Sequence, residues 1–154
     1  MTVATVELPE QFDESARDVV SRCIEETEAL HLSCVPSVNL LIAILLQNGN
    51  EERFLSDHGI TIQKVRAKRD RYFQRKPVRP KQISFAPITL EAFQLAVSEA
   101  RSEMTDDDKD VVVTPRHLLL GLLRKQGGAV IHILNEFDTP PRALYSQLRM
   151  QAAA

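Results

Sequence analysis

Apolar and small residues recur at steps of three and four through Ala16, Val19, Val20, Cys23, Ile24 and Thr27, with polar residues filling the gaps. That spacing predicts an amphipathic helix, because 3.6 residues per turn bring those positions onto one face. The same rhythm returns at Thr89, Ala92, Phe93, Ala96, Val97 and Ala100. Phe12 to Leu30 aligns without a gap with Phe85 to Glu103. Each stripe is followed by a run that is apolar nearly all round, VPSVNLLIAILL from Val35 to Leu46 and VTPRHLLLGLLR from Val113 to Arg124. Without alternation, and at that length, such runs predict short helices at the centre of a bundle.

Local punctuation supports the same division. Thr114 followed by Pro115 supplies a helix N-cap and a first-turn proline, and Ser37 after Pro36 is expected to act similarly. Phe54 to Val65 (FLSDHGITIQKV) matches Ile133 to Leu144 (ILNEFDTPPRAL), with Gly59 as a predicted helix stop and Thr139-Pro140 as a further cap and proline. The run Val111 to Val113 is β-prone, but too short and isolated to be expected to pair.

The predicted fold is all-α: two tandem four-helix repeats related by a pseudo-two-fold axis. Residues 1–11 form a tail, 12–73 the first repeat, 74–84 a linker and 85–150 the second repeat. Pro77 and Pro80 rule out a continuous helix through the linker and favour an extended connector. Each half alone is too small for a robust core, so the halves are expected to pack face to face.

This ordered pair of copies resembles the N-terminal domain of Clp-type (Hsp100) ATPases. Phe85-Ala86-Pro87 is similar to the family's repeat opening, and Thr114 to Leu123 (TPRHLLLGLL) to its second helix, while PSVNLLIAIL in the first copy is a looser match. The resemblance covers about Phe12 to Leu148. It implies a docking module that receives substrates, adaptors or Clp ATPase/protease subunits for regulated unfolding and degradation. No GxxxxGK[ST] phosphate loop occurs among the 5 glycines, so no ATPase activity is expected of the chain itself.

Some family members bind phosphoarginine through a threonine near the start of each repeat and a glutamate heading its second helix. Here Asp13 and Ala86 stand at the threonine positions, and Val38 and Arg116 at the glutamate positions. The carboxylates that pair a guanidinium are missing, so phosphoarginine recognition at those sites is not expected. The expected partner surface is instead the groove between repeats near the starts of the second helices, at Ser37, Val38, Asn39, Thr114, Arg116 and His117. Free backbone N–H groups there meet a partner. His117 matches the family's histidine and is expected to bond a backbone group near the repeat interface.

Charge adds one open question. The chain of 154 residues has 44% hydrophobic and 26% charged residues and a net charge of −2, with pI near 6.1, which gives no general attraction to nucleic acid or membranes. Locally, Lys64, Arg66, Lys68, Arg69, Arg71, Arg75, Lys76, Arg79 and Lys81 form a basic run opposed only by Asp70. A solvated helix face leading into a charged connector is the preferred reading. The alternatives are docking to an acidic patch on a partner, or a nucleic-acid-associated helical protein that uses the run for phosphate contact.

Other chemistry lacks support. Cys23 and Cys34 form no CxxC, the histidines at 31, 58, 117 and 132 form no HExxH, and no nucleophile, base and orienting acid fall into a known spacing. No metal, cofactor or enzymatic activity is expected. The acidic stretch TDDDKD, Thr105 to Asp110, lacks EF-hand spacing and reads as a solvated loop. The N-terminus has no basic and apolar signal pattern and no run approaches the ~18 residues that span a bilayer, so a cytoplasmic protein is expected.

Overall fold

The computed structural model describes residues 2, 3, 8, 10–125 and 127–151. Among them are eight helices: α1 (Glu14–Ala29), α2 (Ser37–Leu46), α3 (Asn50–Asp57), α4 (Ile62–Tyr72), α5 (Pro87–Ser102), α6 (Pro115–Arg124), α7 (Gly128–Leu134) and α8 (Pro141–Met150). Three short strands accompany them, β1 (Thr2–Val3), β2 (Cys34–Val35) and β3 (Gln82–Phe85). The helices form two four-helix repeats, and the matched stripes of the sequence become α1 and α5, each of 16 residues. The matched apolar runs become α2 and α6, each of 10.

The two apolar helices meet at the centre. α2 packs on α1 and α4 of its own repeat and on α5, α6 and α7 of the other; α6 packs on α5 and α8, and across on α1, α2 and α3. Leu40, Leu41, Ile42 and Ile44 are fully buried, as are Leu118, Leu119 and Leu120. This explains why neither run shows a polar stripe: each helix has protein on every side. Phe93 lies edge-on to both Phe12 and Phe85, with ring centroids 5.7 and 5.3 Å away, so one α5 side chain joins the opening phenylalanines of both repeats. At Gly121 α6 lies close against α5, since a Cβ there would lie 2.4 Å from the Ala92 carbonyl oxygen and 2.9 Å from the Ala96 nitrogen.

Backbone pairing exchanges the repeats crosswise. Phe85 pairs with Val35, and Ala86 N–H donates to the Val35 carbonyl at 3.1 Å. Equivalently, Phe12 bridges Val113, and Asp13 N–H donates to the Val113 carbonyl at 3.0 Å. The opening of each repeat is thus stitched to the residues before the other's buried helix. This corrects the expectation that Val111–Val113 would not pair: Val113 N–H also donates to Gln11 O at 2.7 Å. Its partner comes from the opposite end of the chain, where local patterning has no reach. The all-helical expectation likewise omitted β3, formed by the end of the 74–84 connector and held between β1 and β2 in a parallel sheet of order β1-β3-β2.

Helix ends follow local chemistry, with two shifts. Asp13 caps α1, its Oδ1 accepting from Ala16 N–H at 2.7 Å, and Gly59, at φ +77°, follows α3 as the stop its type favours. Ser37 is already helical, with Pro36 as N-cap, and Pro140 rather than Thr139 precedes α8. Thr139 is used elsewhere, its hydroxyl lying 3.0 Å from His58 Nδ1 across the repeats.

Candidate docking groove

The structure divides the six candidate residues at the heads of the second helices. Ser37, Val38 and Asn39 are buried. Beside Ser37, α7 begins at Gly128, whose backbone lies so close to Ile88 that an added Cβ would meet the Ile88 Cδ1 at 2.6 Å. Ile88 and α7 therefore cover the start of α2. The repeat alignment places Ser15, small and exposed, where Ile88 stands, and the equivalent end of α6 is open.

There, Thr114, Pro115 and Arg116 face Glu51, Arg53 and Asp57 of α3 across a groove of about 520 Å³. One wall comes from each repeat. His117, the sixth candidate, is buried behind it and holds the helix end in shape. Its Nδ1 accepts the Thr114 backbone N–H at 3.0 Å, and its Nε2 lies 2.6 Å from Glu103 Oε1. With Nδ1 accepting, the proton belongs on Nε2, donating to the carboxylate. The backbone group expected of His117 is thus that of its own N-cap.

Arg116 spans from the head of α6 to the end of α8. It donates to Glu103 Oε2 at 2.5 Å and to the carbonyls of Leu148 and Gln151 at 3.2 Å each. Partial burial opposes ionisation of Glu103, but hydrogen bonds from Arg116 and His117 hold its carboxyl below the usual range. Glu51 shows the reverse balance: burial pushes its carboxyl up, against the pull of its own backbone N–H and of Arg116 and His117. The groove accordingly has one cation fixed in its wall and one exposed cation, Arg53, on its rim. Sequence reasoning missed Glu51, Arg53 and Asp57, since nothing local to α3 reveals that it packs on the other repeat's α6.

At the four positions where the family pattern places threonines and glutamates, the side chains are committed otherwise. Asp13 caps α1, Ala86 offers no polar atom, Val38 is core, and Arg116 brings a positive charge bound to Glu103.

The nine residues of the basic run do not form one surface. Arg69 is buried, bonding Glu26 Oε2 at 3.0 Å and Asn39 Oδ1 at 2.9 Å, while Asn39 donates on to Thr27. Arg66 also pairs with Glu26. Lys68 and Arg71 both bind Glu136, at 3.0 and 2.6 Å, closing a second inter-repeat hollow of about 630 Å³ that Lys64 also lines. Their hydrogen bonds, Arg71 first, hold the Glu136 carboxyl low. Arg75, Lys76, Arg79 and Lys81 remain exposed on the connector. Cys23 is buried, which pushes its thiol up, with Glu26 adding to the effect. Among the described residues no cluster of histidine, cysteine or carboxylate side chains is arranged to hold a metal, and no helix is long and apolar enough to cross a membrane.

Known proteins share this arrangement. The chaperone protein ClpC3, chloroplastic, of Oryza sativa subsp. japonica is 26% identical over 141 residues, which cover 90% of this chain and 14% of that protein. The chain thus spans about one seventh of that relative's length. The N-terminal domain of ClpD from Arabidopsis thaliana superposes with a TM-score of 0.70 at 21% identity, over 90% of this chain and 95% of that one. The N-domain of ClpV, solved in complex with a VipB peptide, gives 0.67 at 14% identity, over 97% and 94%. At these identities the two structures establish the fold. The sequence pattern of the Clp repeat (R) N-terminal domain matches residues 11–137, most of the molecule, and the chain belongs to that family.

Proposed function

We propose that this chain is a protein-docking module, without ATPase activity of its own, that receives substrates, adaptors or Clp ATPase/protease subunits in regulated unfolding and degradation. The observation that carries the reading is the open groove between α3 and the head of α6, walled by both repeats of a Clp N-terminal fold. Thr114 and Arg116 contribute side chains to the contact and His117 is buried behind them, whereas Ser37, Val38 and Asn39 are buried at the covered head of α2 and take no part in it. The complex of the similar ClpV N-domain with a VipB peptide favours a peptide segment as the docked element. The partner is recognised without phosphoarginine, in keeping with the inverted charge at Arg116.

A photo-crosslinking side chain at Arg53, exposed on the groove rim, tests this in native cells against the same group at Arg101, exposed on α5. The expected result is recovery of Clp subunits or their client proteins from the Arg53 position and not from Arg101. Equal recovery from both positions, or recovery of nucleic acid alone, contradicts the reading.

A further inference from the structure

Between α4 and β3 the chain forms an arch fixed at both feet. At the first, Lys76 N–H donates to Leu30 O at 3.0 Å, its carbonyl lies 2.9 Å from His31 Nδ1, and Arg75 Nη2 lies 3.3 Å from His31 Nε2. At the second, the chain enters β3 and is paired on both sides. Pro77 and Pro80 fix two φ angles in between and remove two donors. On this arch Val78 is 75% exposed, with Arg79 and Lys81 exposed close by, and Tyr72 precedes it at 48%. From Tyr72 to Lys81 there are four positive charges and no acid, on a chain whose net charge is −2. Among the described residues, neither Arg79 nor Lys81 has a hydrogen bond or salt bridge.

We propose that the arch is a second docking surface, for an extended acidic segment of a protein partner that carries apolar side chains between its carboxylates. This deepens the docking reading and rests on it. A strap fixed at both ends loses little conformational freedom on binding, and its unpaired cations supply charge complementarity and faster encounter. Val78 between Lys76 and Arg79 asks for an apolar group between two carboxylates. A nucleic-acid strand fits less well, because Glu25 and Glu28 line a hollow of about 290 Å³ with Arg79. A strand brings a charge past them at every phosphate, whereas a peptide presents a neutral residue there.

Fluorescence anisotropy with the intact chain tests this, using a labelled short peptide of Glu, Asp, Leu and Val, its Gln/Asn counterpart, and a single-stranded oligonucleotide. The acidic peptide is expected to bind, the amide peptide not, and added salt to weaken the complex. The combined variant Val78→Ser, Arg79→Glu, Lys81→Glu, with circular dichroism unchanged, is expected to lose about tenfold or more in affinity. Arg101→Glu, exposed on α5 away from the arch, is expected to leave it unchanged. No binding of the acidic peptide, equal binding by the arch variant, or tighter binding of the oligonucleotide overturns the proposal. Because the groove is read separately by crosslinking at Arg53, failure here leaves the docking reading standing.

Discussion

Gly121→Ala is expected to destabilise the protein by about 3 kcal/mol, the upper end of ordinary overpacking. The sign is the informative part. In an unconstrained helix interior, replacing glycine by alanine stabilises by about 1 kcal/mol. Here the new methyl would meet the backbone of α5 at Ala92 and Ala96, and backbone does not step aside as a flexible side chain does. The repeat alignment places Ala43 of α2 at the equivalent position, fully buried, so the first repeat already accommodates the methyl that the second excludes. Urea unfolding reads the effect as a lowered midpoint with an unchanged slope. A neutral or stabilising outcome would mean that α5 and α6 stand farther apart than described.

Arg69→Met is expected to cost about 3 kcal/mol, because it removes one partner of a buried ion pair and leaves the others behind. Glu26 would keep only Arg66, and the Asn39 carbonyl oxygen would lose its donor beneath the core. Arg66→Ala, at the more exposed end of the same cluster, is expected to cost below about 1 kcal/mol. Thermal unfolding of both variants and of Arg69→Met combined with Glu26→Gln checks this. The double variant is expected to regain part of the loss, since the stranded charge is gone. Equal effects of Arg66→Ala and Arg69→Met would contradict the buried network.

Arg69 also shows where sequence reading loses its grip. On the page it is one cation in a run of nine, yet it lies four residues after Val65, on the same buried face of α4. Asn39, a lone amide within an apolar run, was the matching signal that a polar partner had to reach the core. Helices were legible because their information is local: the stripes of α1 and α5, the apolar runs of α2 and α6, the cap at Thr114 and the stop at Gly59. What escaped was non-local. The pairing of Phe12 with Val113, the placing of β3 between two other strands, and the cover that Ile88 and α7 give the head of α2 each join distant parts of the chain. For the groove, the sequence pointed to Thr114 and Arg116. Its opposite wall on α3 became apparent only once the repeats were seen to interlock.

The groove exists only if both repeats share one core, since each provides one wall. Differential scanning calorimetry of the intact chain tests that dependence most directly. The account expects a single transition in which the calorimetric and van't Hoff enthalpies agree, because α2 and α6 cannot lose each other's packing one at a time. Two separable transitions, one per repeat, would contradict it.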